Sequence, residues 1–178
     1  MKKKYLIVAT LSGFLMAGAA AWAAPFGGPD DVKYSQALWK ALTKAHMVGP
    51  DAIMSTPYKG QAPHGAVLDT LDGTVKVKGH RGRVIVKRNY GGPGVSKSAV
   101  ANNPGKYLKA VTVMFKRASG YDPADKDWFW VKFKPDGSLH KNPKGMQLAG
   151  KVAKGMPKGC IACHKAAPGG DFVYNFNR

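Results

Sequence analysis

Apolar positions recur at helical spacing near the start of the chain and at every second residue further on. Tyr34, Leu38, Ala41, Leu42 and Ala45 fall on one stripe of a helix, which Pro29-Asp30-Asp31 caps and Gly49-Pro50 ends. The spacing predicts a helix from Pro29 to about His46. Residues Pro50 to Pro63 read as loop, and then the period changes to two. Ala66 to Leu71 and Thr74 to Val77 alternate on either side of Asp72-Gly73, a dipeptide that supplies the positive φ angles of a tight turn, so a hairpin is predicted there. Further strands are predicted at 83–88, 110–115 and 127–133, the last closed by a Pro135-Asp136-Gly137 turn. Ser96 to Ala101 reads as one or two helical turns ended by Asn102-Asn103-Pro104, and Met146 to Ala153 as another helix. The sum is an α+β domain: a mainly antiparallel sheet of four to five strands with flanking helices, the last of them carrying the attachment motif described below.

The amino terminus stands apart from this pattern. Lys2, Lys3 and Lys4 precede an uncharged apolar run from Tyr5 to Ala20, and Ala21-Trp22-Ala23 has the small-x-small form of a cleavage site. An uncleaved anchor would continue in Leu or Val where this run ends in Ala, Gly and Pro. Residues 1–23 are therefore expected to be a signal peptide and 24–178 a single exported domain, in the periplasm. The 12 Pro and 22 Gly are scattered without a repeat, which excludes coiled coils and solenoids. The formal charge is +18, from 28 Lys and Arg against 10 acidic residues, every one of them Asp. With no Glu, any mechanism that needs a Glu base is excluded. Beyond residue 23 the cations are 20 Lys and only 5 Arg, spread along the chain. Nucleic-acid readout leans on clustered Arg, so the basic surface points instead to solvation, anionic membranes or an acidic redox partner protein.

Two cysteines are too few for a disulfide framework, but their spacing is informative. Cys160-Ile161-Ala162-Cys163-His164 is a C-x-x-C-H sequence, the attachment signal for c-type haem. Two thiols three residues apart on one helical turn can each form a thioether with a haem vinyl group, while the adjacent His is aimed at the iron. One covalently attached haem c is the cofactor expected, with His164 as its metal ligand. A thioredoxin-like pair would precede a helix in a βαβ unit, and a zinc site would need further Cys or paired His; the chain offers neither. No Met follows His164, which rules out the arrangement of small electron-transfer cytochromes c with a downstream Met ligand. A four-helix cytochrome c′ is disfavoured by the period-two chain upstream.

Pro63-His64-Gly65, the strand Arg83 to Tyr90, the strand and turn from Asp127 to Gly137, and Cys160 to Ala167 together resemble the cytochrome P-460 family, which also contains the cytochromes c′-beta. The likeness covers nearly the whole chain after the leader. It implies a mainly β, usually homodimeric, periplasmic fold around a five-coordinate haem whose distal side admits hydroxylamine or nitric oxide. The family's enzymes carry a Lys joined to a meso carbon of the haem and oxidise hydroxylamine; the cytochromes c′-beta lack that bond and bind nitric oxide under an aromatic cap. By this resemblance Lys87, in the Val-x-Val-Lys strand position, is the candidate for the cross-link. The resemblance also implies a distal carboxylate that relays protons, commonly Glu. This chain has no Glu, a departure from the family pattern that counts against the enzymatic reading; an Asp in its place, Asp127 or Asp69, is the candidate, each with the alternative of merely capping or solvating a turn.

Strand parity sorts the aromatic residues. Phe129, Val131 and Phe133 share one face of their strand, and Trp128, Trp130, Lys132 and Lys134 the other. The first set reads as core, with Phe115 or Phe129 as the alternative cap over the iron. His46, His64, His80 and His140 are each candidate sixth ligands, with His64 read as structural because it lies in the Pro-His-Gly element. The expected function is hydroxylamine oxidation at an open haem iron. Nitric oxide binding or plain electron transfer is the alternative.

Overall fold

The computed structural model describes residues 25–174, so the expected leader, residues 1–23, lies outside the described residues. Helix α1 (Pro29–Lys44) starts at Gly28 with Pro29 at its first position, where a missing N–H costs nothing, and with Asp30 and Asp31 against the positive end of the helix dipole. Its buried residues Tyr34, Leu38 and Leu42 lie on the predicted stripe.

Six strands follow in chain order, each antiparallel to the next: β1 (Tyr58–Lys59), β2 (Val67–Val77), β3 (His80–Tyr90), β4 (Leu108–Lys116), β5 (Trp128–Phe133) and β6 (Ala149–Gly150). Between β3 and β4 lie α2 (Lys97–Asn102) and α3 (Pro104–Tyr107), and α4 (Cys160–His164) is the last helix among the described residues. The sheet exceeds the expected four to five strands because two-residue strands pair onto its edges. Residues that short carry no periodicity, so pairing alone creates them.

Two expectations are corrected. Asp72 and Gly73 do not form the hairpin turn; they pair with Ile85 and Val84 inside the ladder, and Val77 pairs with His80. The turn is Lys78-Gly79, with φ of 45° and 86°, the two successive positive values that a two-residue turn demands. Gly73 instead lies within the paired strands, beside the flexible end of the Met47 side chain. Met146 to Ala153 is not helical either. Leu148 O accepts from Lys132 N at 2.9 Å, and Ala149 and Gly150 pair with Val131 and Trp130. The free edge of β5 thus outweighs local helix preference. The Pro135-Asp136-Gly137 turn forms where predicted, with Gly137 N donating to Lys134 O at 3.0 Å.

The sheet is covered on both faces. One face presents Val75, Val84, Val86, Val111, Val113, Phe115, Phe129, Val131 and Phe133 to α1. The other presents Ile85, Met114, Trp128 and Trp130 to the C-terminal segment, which contributes Val152, Ala153, Ile161, Phe172 and Val173. Strand parity therefore decides which side chains meet α4. No described helix is long and apolar enough to cross a membrane.

Candidate haem-binding site

Helix α4 begins after Gly159, whose φ of 137° and position 2.3 Å (as a built Cβ) from Ala153 Cβ leave room for no side chain. One turn then carries all three residues of the motif. Cys160 is half-buried and Cys163 exposed, both as free thiols; burial pushes the Cys160 thiol upward. His164 is buried, and its Nδ1 lies 2.7 Å from Phe172 O. A carbonyl only accepts, so Nδ1 carries the proton and Nε2 keeps its lone pair for a metal. Burial, and to a lesser degree the charge of Lys87, lowers the His164 pKa, keeping the ring neutral as a ligand requires.

The Phe172 carbonyl is itself held in place. Phe172 has φ of 62°, a left-handed conformation unusual for a bulky residue. The preceding Asp171 is tied on two sides: Trp128 Nε1 donates to its carbonyl at 3.0 Å, and Arg83 pairs with its carboxylate at 2.9 Å. Strand β5 thereby fixes the partner of His164.

Three aromatic rings surround the imidazole: Trp130 at 5.0 Å, Tyr174 at 5.4 Å and His64 at 6.3 Å between centroids, all steeply inclined to it. Lys87 lies on the same face of β3 as Ile85, opposite Thr70 and Thr112. Its side chain is 6% exposed, and burial lowers its pKa. Asn89, two residues on, donates from Nδ2 to Lys87 O at 2.8 Å and to Ala110 O at 3.2 Å. Its Oδ1 therefore faces the Pro-His-Gly loop, 3.0 Å from His64 Nδ1 and 3.4 Å from Gly65 N. This makes His64 Nδ1 the donor. Burial first, then the charges of Lys87 and His164, bring the His64 pKa down to about 4. Gly65 is needed here because a Cβ would stand 2.4 Å from Tyr90 O.

The structure does not bring every sequence candidate to this place. Asp127 sits at the start of β5 with φ of 56°, and its Oδ1 accepts from Asp122 N at 2.7 Å; no hydrogen bond or ring contact joins it to His164. Asp69 lies on the α1 side of β2, fully buried against Arg88. Phe115 and Phe129 pack with Tyr34 at 6.2 and 5.0 Å, so neither caps the site; their parity turns them toward α1. The aromatic side chain of β5 that reaches His164 is Trp130, which the sequence assigns to the opposite face without a role. His80 Nε2 is bonded to Lys116 O at 3.1 Å, and His46 lies just past α1 with φ of 53°. His64 alone of the four other histidines has a ring contact with His164.

The donor set fits a haem. Two thiols on one turn are followed by an imidazole with a free Nε2, set on an apolar sheet face. The Trp130 indole Nε1 is buried with no acceptor, an N–H that costs about 1–3 kcal/mol until a bound group takes it. Among the described residues no group of three or more His, Cys or Asp side chains is placed to hold a metal ion.

An antiparallel sheet that backs a terminal C-x-x-C-H helix defines a cytochrome-type haem protein. Residues 43–175 match the family model described as Cytochrome P460, and the chain belongs to that family, which implies a haem cofactor. No curated protein and no solved structure shows significant similarity to the chain.

Proposed function

We propose that this protein is a periplasmic mono-haem c cytochrome that oxidises hydroxylamine. Cys160 and Cys163 anchor the haem through thioethers, His164 Nε2 ligates the iron, and Lys87 is the residue joined to the macrocycle. Bound haem supplies a redox-active iron able to accept electrons from a small nitrogen substrate. The protein's own part is positional. The Phe172 carbonyl orients His164, while Ile85, Met114 and Trp130 form an apolar wall that excludes bulk water.

The observation that carries the reading is the burial of Lys87 on the face that meets α4. A Lys on a solvated strand would point outward, as Lys76 does on β2. A desolvated amine loses part of its preference for the charged form and gains nucleophilic character. Electrons leave to an acidic redox partner that the basic surface attracts, and the protein works as a homodimer.

Peptide mass mapping of the holoprotein tests this directly. The peptide containing Lys87 should carry haem in addition to the Cys160–Cys163 peptide. Lys87→Arg should keep haem on the cysteines and abolish hydroxylamine turnover. Recovery of the Lys87 peptide without haem refutes the enzymatic reading and leaves nitric oxide binding in its place.

A further inference from the structure

We propose that two copies of this chain join along the outer edge of β2, in antiparallel register about Thr74, so that their sheets run on as one. The inference gives a surface to the homodimer named above and rests on that part of the reading, not on the haem chemistry.

Strand β2 pairs with β3 along its whole length, Val67 to Val77, but β1 covers only Val67 and Leu68 on its other side. Among the described residues no backbone hydrogen bond reaches that outer edge from Leu71 to Val77. A two-residue turn closes on a hydrogen-bonded pair, here Val77 and His80. The odd-numbered residues of β2 therefore turn their N–H and C=O groups to β3 and the even-numbered ones turn theirs outward. Ala66 O, which accepts from Gly60 N at 2.8 Å on the β1 side, has this phase. Asp72, Thr74 and Lys76 thus present main-chain donors and acceptors at the edge, and all three are exposed. Natural sheets blunt such an edge with a Pro, a bulge or an edge Lys. Residues 71–77 hold no Pro and no bulge, and their Lys is matched by an acid once the partner strand is a copy of the same one.

The side chains select that copy and a single register. Outward bonding pairs even-numbered residues with even-numbered ones. Centred on Thr74, Asp72 faces the partner's Lys76 and Lys76 faces the partner's Asp72, so the twofold axis forms both charge pairs at once. Centring on Asp72 or Lys76 sets like charges face to face, and centring on Gly73 or Val75 leaves them opposite a Thr or the turn. Lys76 stands opposite Arg81 on β3 and has no acidic partner among the described residues; Asp72 is 36% exposed beside Arg83. On the α1 face the same register brings Leu71 opposite the partner's Val77 and Gly73 opposite the partner's Val75, extending the apolar layer that these residues border. The three outward pairs exchange about six main-chain hydrogen bonds.

Sedimentation velocity and cysteine cross-linking of the holoprotein test the arrangement. The wild type should sediment as a dimer. Thr74→Pro removes an outward N–H that β3 does not use, so it should weaken the dimer about ten- to a hundredfold while circular dichroism and haem absorption stay unchanged. Thr74→Cys, with about 5.5 Å between the two Cα atoms, should form an intersubunit disulfide on mild oxidation. Thr70→Cys, about 27 Å from its own copy, should not. A monomeric wild type overturns the proposal together with the homodimer. A dimer whose Thr74→Cys variant stays unlinked, or whose Thr70→Cys variant links equally, overturns the β2 edge alone. So does a folded Thr74→Pro protein that dimerises as tightly as the wild type. Should Thr74→Pro not fold, the two cysteine variants decide.

Discussion

Asp69 is one of the two acids, with Asp127, that the sequence offers as a proton relay, and the structure gives it another partner. Its side chain is fully buried, Arg88 is 7% exposed, and Arg88 Nε donates to Asp69 Oδ1 at 2.8 Å while Nη2 reaches both Asp69 Oδ2 and Ile53 O. Ser55 N, at 3.2 Å, and the Tyr90 hydroxyl, at 3.4 Å, complete the carboxylate's surroundings. Arg88→Met would leave a buried carboxylate with only those two donors, and stripping one partner from a buried ion pair costs about 3–5 kcal/mol. A cavity of about 240 Å³ lined by Arg88, Tyr90, Trp39 and Met54 lets water approach, which places the expected loss near the lower end, about 3 kcal/mol. For a domain of this size that is a fall in Tm of about 6–12 °C. Asp69→Asn should lose a similar amount, and the paired variant Asp69→Leu/Arg88→Met should recover most of it, because no unpaired charge remains. Urea unfolding followed by circular dichroism measures the stabilities, and haem absorbance is recorded on the folded variants. The reasoning is wrong if either single variant loses less than about 1 kcal/mol. It is equally wrong if a folded variant's haem spectrum changes, because the pair lies across the sheet from His164.

Trp128→Phe removes the donor that holds the Asp171 carbonyl, loosening the Phe172 carbonyl on His164. A less polarised imidazole is a weaker donor to ferric iron, so the haem reduction potential should rise in a spectroelectrochemical titration. An unchanged or lower potential contradicts the link. Asp122 and Asp125 are buried and share Lys154, while Lys165, next to His164, also reaches Asp125 at 3.1 Å. Lys165→Ala should therefore be mild, Lys154→Ala larger, and the double variant worse than the two added, since Asp125 then keeps no cation. A strictly additive urea midpoint shift would show that the two lysines do not act on the same carboxylate.

Much of this was legible in the linear chain. The stripe of α1, the alternation of β3, β4 and β5 and the C-x-x-C-H turn are each properties of a few consecutive residues, and a short-range period is enough to read them. The same parity also put Trp130 on the face opposite Phe129, though it could not say which face would meet α4. That choice depends on where the C-terminal segment packs. The misplaced hairpin turn has the same origin: Asp72-Gly73 and Lys78-Gly79 both hold a glycine that permits a turn, and only the register of β2 against β3 selects the second. Residues 148–150 are extended because β5 offers them an open edge, a partner that local propensity does not register. The surroundings of His164 are the clearest case. Phe172, Trp130, Lys87 and His64 reach it from separate strands and loops up to a hundred residues away, and nothing in local sequence encodes such a distance. Sequence alone determined which atoms can bond to a haem; the burial and hydrogen bonds that only the folded sheet supplies decided which side chains gather around His164.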